Sequence, residues 1–375
     1  MLKQLKRLKE VDFSIVLSML AICAMGIYTI KSATGTYTLS ITQAVWLLIS
    51  CTIGVVVLMV DYTTIGSYYK VLYIFSVFLL VLVLLVGKVR NNAKSWLGFG
   101  GIGSQPSEVA KIVLIIALAK MMEDMDDINS FKNLAKLGAY ALIPMILIQL
   151  QPDTGTNLIF VVTIFAMLFI GGLNSKVVWG VVAGVGTAVL AAFIIIEQNL
   201  DQYLTFIQPY QWNRIRVFFY PETDIMNAGM DAYYAKLAIG SGMFYGRGLE
   251  QTDLVNGNFI SESHTDFIFS VFAEEWGFFG CAILLLLYLN IFIRAIKIAR
   301  SSNDKFGYYM IIGTVSMLAF QVLQNIGMDI GLMPITGIPL PFMSYGGSSL
   351  LTNVISLALI LNVGMRRQKL KFSRS

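Results

Sequence analysis

The chain has 375 residues, of which 57% are hydrophobic and 13% charged, and a net charge of +5. A soluble domain carries about 25% charged residues, so the composition excludes a soluble enzyme with a membrane anchor and specifies a polytopic membrane protein. The positive charge gathers at the ends of apolar runs, where it sets topology and gives no nucleic-acid-binding surface.

The basic start (Lys3, Lys6, Arg7, Lys9) leads into an apolar run, Val11 to Ile30. It lacks a convincing small-residue cleavage site and reads as a first span rather than a signal peptide. A span needs about 20 apolar residues. Ten such runs follow in order: about 11–30, 42–60, 70–87, 107–122, 136–151, 156–173, 177–196, 268–293, 306–326 and 346–364. An even number puts both termini on one side. Most of the 27 Lys and Arg residues share that side, including Arg366, Arg367, Lys369, Lys371 and Arg374 at the C-terminal end. The positive-inside rule then places both termini in the cytoplasm. Cys23, Cys51 and Cys281 fall inside the apolar runs and read as small buried hydrophobes, with no disulfide framework and no metal-ligand spacing.

Four polar segments face outward. The first, 88–106, holds Lys94, Trp96 and Gln105-Pro106. The second is the short turn Gln151-Pro152-Asp153-Thr154-Gly155-Thr156. The third is the loop of about 197–267 between spans 7 and 8, too long for a mere connector. Its aromatics (Tyr203, Phe206, Tyr210, Trp212, Phe218, Phe219, Tyr220) argue for ordered structure, part of it in the membrane interface. The fourth, about 327–345, belongs to the stretch NIGMDIGLMPITGIPLPFMSYGGSS at 325–349, with Pro334, Pro339, Pro341, Asp329 and five glycines. Broken backbone in hydrocarbon leaves peptide groups unpaired at several kcal/mol each. Such a segment is therefore expected to be buried in protein or to line a wet cavity. The expected architecture is all-α: one membrane domain over 1–375, ten transmembrane helices, and a large extracellular loop between helices 7 and 8.

Ionisable residues in or beside spans are costly and are read first as functional. Glu108 and Lys111 are three apart and share a helix face. They either pair structurally, or Lys111 faces substrate and holds a diphosphate as a point charge. Adjacent Glu274 and Glu275 point about 100° apart, so at most one faces a given cavity. Asp153 either caps the next span or joins the cavity. In His264-Thr265-Asp266, the histidine is the chain's only one. Asp266 either caps the helix starting near Phe267 or, kept partly desolvated at a cavity mouth, serves as a general base. Arg214 and Arg216 suit phosphate or lipid headgroups. Carboxylates alone would suit only a weak oxygen-ligand Mg²⁺ site.

Five stretches carry a resemblance in the same order along the chain: SWLGFGGIGSQPSEVAK at 95–111, QPDTGT at 151–156, LAIGSGMFYGRGL at 237–249, HTDFIFSVFAEE at 264–275, and the 325–349 segment. Together they resemble the SEDS family (RodA, FtsW, SpoVE), and the short N-terminus looks most like RodA. The chain departs from the family pattern at 231–236, at Ser261-Glu262-Ser263 before the histidine, and at Met243, where a second glycine is usual. The resemblance implies ten membrane helices and polymerisation of lipid II into glycan strands on the outer face of the cytoplasmic membrane. It implies a class B penicillin-binding protein as partner, within the elongation or division machinery. It also implies that the Asp of the HTDF motif, here Asp266, is the catalytic carboxylate.

On that reading the donor's α-linked diphosphate is displaced with inversion to a β-1,4 linkage. Asp266 takes the proton of the acceptor 4-hydroxyl. Lys111, Arg214 or Arg216 stabilises the leaving diphosphate, with Mg²⁺ as a candidate helper. Glu108, Trp96, Asp153, His264, Glu275 and Ser344 are further candidates for the cavity wall. A structural role is ranked first for Ser344 and Asp329. The competing expectations are a lipid II flippase, since broken segments and cavity charges are also transporter features, and a scaffold without chemistry.

Overall fold

The computed structural model describes residues 10–90, 93–99, 102–198, 209–220, 229–249 and 260–366. The basic residues before Glu10 and after Arg366, together with Tyr203 and Phe206, lie outside the described residues, as do the side chains of Lys94 and Tyr210.

Thirteen helices are described, in chain order: α1 Phe13–Thr34, α2 Tyr37–Met59, α3 Tyr62–Ser67, α4 Tyr69–Val86, α5 Pro106–Glu123, α6 Phe131–Gln149, α7 Thr154–Ile170, α8 Ser175–Gln198, α9 Pro209–Phe219, α10 Met230–Ser241, α11 Ile268–Arg300, α12 Lys305–Asp329 and α13 Gly347–Arg366. A helix covers each of the ten apolar runs. Seven helices (α1, α2, α4, α6, α11, α12, α13) are long and apolar enough to cross a membrane. The chain is a multi-pass membrane protein. One departure from an all-helical chain is a small antiparallel sheet between α4 and α5, with order β1 (Lys88–Arg90), β2 (Ala93–Phe99), β3 (Ile102–Ser104).

Local chemistry sets the boundaries. Asp12 caps α1 by accepting from the Ser14 N–H at 3.1 Å. Asp304 caps α12 through the Gly307 N–H at 2.6 Å. Pro106 opens α5 at a position where no N–H is needed, and Glu108 sits in the first turn where the helix dipole favours an acid. Helix α5 is the axis of the bundle, buried from Ala110 to Ala119 on every face. It packs against α4 and α12; α12 also packs on α7 and α11, α13 on α2, and α1 on α11. An all-round apolar helix belongs in such a place.

One further feature differs from the sequence-based expectation. Helix α11 runs on to Arg300 and is broken at Gly277, whose φ of 61° and ψ of −164° are outside the helical region. A break at membrane depth needs partners for the freed peptide groups. The turn after α10 supplies them. Phe278 and Phe279 N–H donate to the Met243 and Phe244 carbonyls at 2.9 and 3.2 Å, and Arg247 N–H donates to the Glu274 carbonyl at 2.9 Å. A Cβ on Gly277 would lie 2.3 Å from the Gly246 nitrogen, so the close approach excludes any side chain there. Met243, where the family pattern has glycine, holds a φ of 46° in this turn. The 197–267 loop contains helices α9 and α10, ordered structure of the kind its aromatics argue for. Between α12 and α13 the chain has no regular structure, as the prolines and glycines require.

Candidate active site

Asp266 lies in the turn immediately before α11, held from outside by the broken 330–346 segment and the end of α12. The Asn325 amide donates to the Asp266 carbonyl at 2.7 Å and to the Ile338 carbonyl at 2.9 Å. The Ser344 hydroxyl donates to the Thr265 carbonyl at 2.6 Å and accepts from the Leu340 N–H at 2.8 Å. Tyr345 N–H donates to the His264 carbonyl at 3.0 Å. Gln43, from α2, closes the far side: its amide donates to the Ser344 carbonyl at 3.0 Å and its oxygen accepts from the Gly346 N–H at 3.2 Å. The backbone of 264–266 is thus fixed by two side chains and one peptide that lie more than fifty residues away in sequence, with Gln43 bracing them from behind.

The carboxylate is left free by this arrangement. Phe267, the N-cap residue of α11, makes no side-chain capping bond. The Ser270 N–H instead donates to Asp329 Oδ2 at 3.0 Å. Among the described residues no hydrogen bond reaches the Asp266 carboxylate, so the helix-cap alternative for Asp266 does not hold. Burial pushes its carboxyl up to about 6, helped by the negative charges of Glu262 and Asp231 and opposed by Arg214. Gly337, with φ 72°, passes so close that a Cβ would sit 3.1 Å from Asp266 Oδ2 and 3.9 Å from Arg214 Nη1. A bare backbone here lets the broken segment reach the carboxylate without covering it.

Asp266 opens onto a cavity of about 370 Å³, within the usual range for ligand pockets. Trp96, Glu108, Asp153, Arg214 and Asp266 are the sequence-selected residues on its wall. The outer hairpin supplies Trp96 from β2. Asp153 is tied down: it caps α7 through the Thr156 N–H at 3.0 Å and accepts from Gln105 at 3.0 Å. Both of its alternatives therefore hold, as a cap and as cavity wall. Glu108 pairs with Lys111 at 2.9 Å. Glu108 borders the cavity with its second oxygen lacking a hydrogen-bond partner among the described residues, whereas Lys111 is 1% exposed and lies behind it.

The remaining expected residues are placed elsewhere. Arg216 is exposed and off the cavity wall, because two residues on a helix lie about 200° apart and Arg214 takes the inward face. The Arg214–Arg216 pair is therefore not a bidentate clamp. Neither Glu274 nor Glu275 lines the cavity: both are buried, and Glu275 accepts from the Ser32 hydroxyl. His264 packs its ring against Tyr345 at 5.7 Å, and Ser344 is buried in the backbone clasp described above. Sequence reasoning passed over Glu262, Thr265, Trp46 and Tyr345 on the wall, and Gln43 and Asn325 behind it. Asn325 opens the proline-rich segment, the one signal that could have found it.

A family model for the FtsW, RodA and SpoVE proteins, described as cell cycle protein, matches residues 8–369. The chain belongs to this family. Among its relatives, the peptidoglycan glycosyltransferase MrdB of Escherichia coli K12 is 32% identical over 302 residues, covering 80% of this chain and 79% of that protein. The crystal structure of the rod shape determining protein RodA of Thermus thermophilus matches with a TM-score of 0.71 at 30% identity, covering 96% of this chain and 98% of that one. A chain from a peptidoglycan synthase complex, described as coordinating polymerization and crosslinking, matches with a TM-score of 0.80 at 30% identity, covering 94% and 97%.

Proposed function

We propose that this chain is a peptidoglycan glycosyltransferase that polymerises lipid II, with Asp266 as general base. The observation that carries the reading is the Asp266 carboxylate, raised to about 6, without a hydrogen bond among the described residues, and sharing the wall of a 370 Å³ cavity with Arg214. A base is most effective when its pKa lies near the working pH, and such catalysis contributes about 10²–10⁴-fold. Asp266 takes the proton of the acceptor 4-hydroxyl as that oxygen attacks the donor's anomeric carbon. The bond to the lipid diphosphate breaks, and inversion turns the α linkage into β-1,4. Arg214 is the cation best placed to stabilise the departing diphosphate, since Lys111 is neutralised by Glu108 and shut off from the cavity. Glu108 borders the cavity and holds Lys111 in place behind it; its second oxygen is buried.

The cavity carboxylates do not converge into a cation site. Glu108 is paired and Asp153 is a helix cap. Among the described residues no group of three acidic, histidine or cysteine side chains is placed to hold a metal. No step is therefore routed through Mg²⁺.

The wider setting belongs to the same proposal. The chain forms one membrane domain of ten spans: the seven apolar helices with α5, α7 and α8. Both termini are cytoplasmic, and the cavity opens on the outer face. A class B penicillin-binding protein is the partner, an assignment supported by the likeness to a synthase complex that coordinates polymerization and crosslinking. The assay is lipid II polymerisation by the purified protein with that partner. Wild type is expected to form glycan ladders and Asp266→Asn none. Transport of fluorescent lipid II across liposomes without polymer would replace the enzyme by a flippase, and growth supported by Asp266→Asn would leave only a scaffold.

A further inference from the structure

Helix α11 begins two residues after Asp266, and its N-cap residue Phe267 makes no side-chain capping bond. Phe267 cannot accept a hydrogen bond through its side chain, yet the first turn of any helix leaves N–H groups without partners. Asp266 is the nearest residue of the preferred capping type. If the helix started one residue earlier, Asp266 would be its N-cap, and its carboxylate would accept from the first-turn N–H groups. Helix starts shift by a residue at little cost. Something must therefore hold the start at Ile268.

That group is Asp329, at the last residue of α12. It is fully buried, and its Oδ2 accepts from the Ser270 N–H at 3.0 Å, a donor shared with the Phe267 carbonyl at 3.2 Å. Its Oδ1 has no hydrogen-bond partner among the described residues. A buried carboxyl group with so few partners is costly to the fold. One turn earlier on the same helix face, Asn325 grips the Asp266 carbonyl at 2.7 Å. The end of α12 thus holds the backbone on both sides of the helix start, at Asp266 and at Ser270.

We infer that Asp329 is a positioning residue for the reaction: by capping α11 from another helix, it keeps the Asp266 carboxylate out of the helix end and turned toward the cavity. This rests on Asp266 being the general base. Loss of Asp329 frees the Ser270 N–H, the one first-turn donor it occupies, and lets the helix start move back onto Asp266. A carboxylate that accepts such bonds becomes a weaker base and titrates lower. The other charged groups facing Asp266 are Glu262, Arg214 and Asp231, and they stay in place.

The test measures kcat, KM and the acid limb of the pH–rate profile on lipid II, with the full chain bound to its partner. Asp329→Asn retains an oxygen acceptor for Ser270, and its kcat and acid limb are expected to match wild type. Asp329→Val removes the acceptor. Its kcat is expected to fall at least about tenfold with KM little changed, and its acid limb to move about one pH unit lower. Should the valine variant not fold, Asp329→Ala removes the same acceptor and leaves the Ser270 N–H in place, and the same fall and shift are expected. Wild-type kcat and acid limb in Asp329→Val, or equal damage in the asparagine and valine variants, overturn the inference. Asp266→Asn is run beside them: activity there removes the general base itself, whereas an inactive Asp266→Asn beside a wild-type-like Asp329→Val removes the cap alone.

Discussion

Replacing Asp266 by asparagine is expected to stabilise the protein while it abolishes the chemistry. The carboxyl is raised from 3.8 to about 6, chiefly by burial. Each unit corresponds to about 1.36 kcal/mol, so the ionised group opposes folding by at most about 3 kcal/mol. Its opening to the cavity leaves about 1–2 kcal/mol after allowance for solvent. The sign follows from linkage. The unfolded chain ionises near 4 and the folded one near 6, so the native state binds more protons in this window and loses stability as pH rises through it. Asp266→Asn lacks that loss. Its thermal midpoint in detergent should exceed wild type by a few degrees at pH 8, by an amount that shrinks as pH falls from 6 to 4 and vanishes below. Midpoints are compared at one scan rate, because membrane proteins of this size unfold irreversibly. A variant no more stable than wild type at pH 8, or an advantage independent of pH, would refute the claim that burial strains this carboxylate.

Three further outcomes are expected. Gly337→Ala should abolish polymerisation and lower stability by about 1–3 kcal/mol, because the residue holds φ 72° and its Cβ would meet Asp266 Oδ2 at 3.1 Å; ladder assays and thermal midpoints read both effects. Met243→Gly should stabilise by about 1 kcal/mol, since it relieves a left-handed methionine in the turn that covers the α11 break. Lys111→Ala should destabilise by about 3–5 kcal/mol, since it strands Glu108 in the core, and the double variant Glu108→Gln/Lys111→Met should recover most of the loss; a Lys111→Ala that folds normally but binds lipid II weakly would return Lys111 to the substrate.

The bundle was legible because its signal is long and repeated: each apolar run is close to the length of a span, and a helix covers every one. The Gly277 break was not legible. It sits in Glu-Glu-Trp-Gly-Phe-Phe with no proline nearby, and its partners lie in another segment. The site was legible by residue type and illegible by direction. Asp266 read as a cap or a base, because the residue that takes its place at the helix end, Asp329, lies 59 positions beyond Ser270. Glu108 and Lys111 were visible as a pair, but only packing around α5 determines which of the two touches the cavity. Arg214 and Arg216 looked alike until helix α9 turned them to opposite sides.

The two kinks in this chain mature at different times during synthesis. The α11 break at Gly277 takes its hydrogen-bond partners from residues 243–247, which leave the ribosome earlier and can close the break as soon as Phe279 is inserted. The 264–270 turn takes its long-range partners from Asn325, Asp329, Ser344 and Tyr345. A nascent chain ending before residue 325 can hold most of its membrane helices and still lack these long-range ties on the 264–270 backbone. Polymerase competence therefore arrives only with the last two helices, so an interrupted chain is inert rather than unregulated.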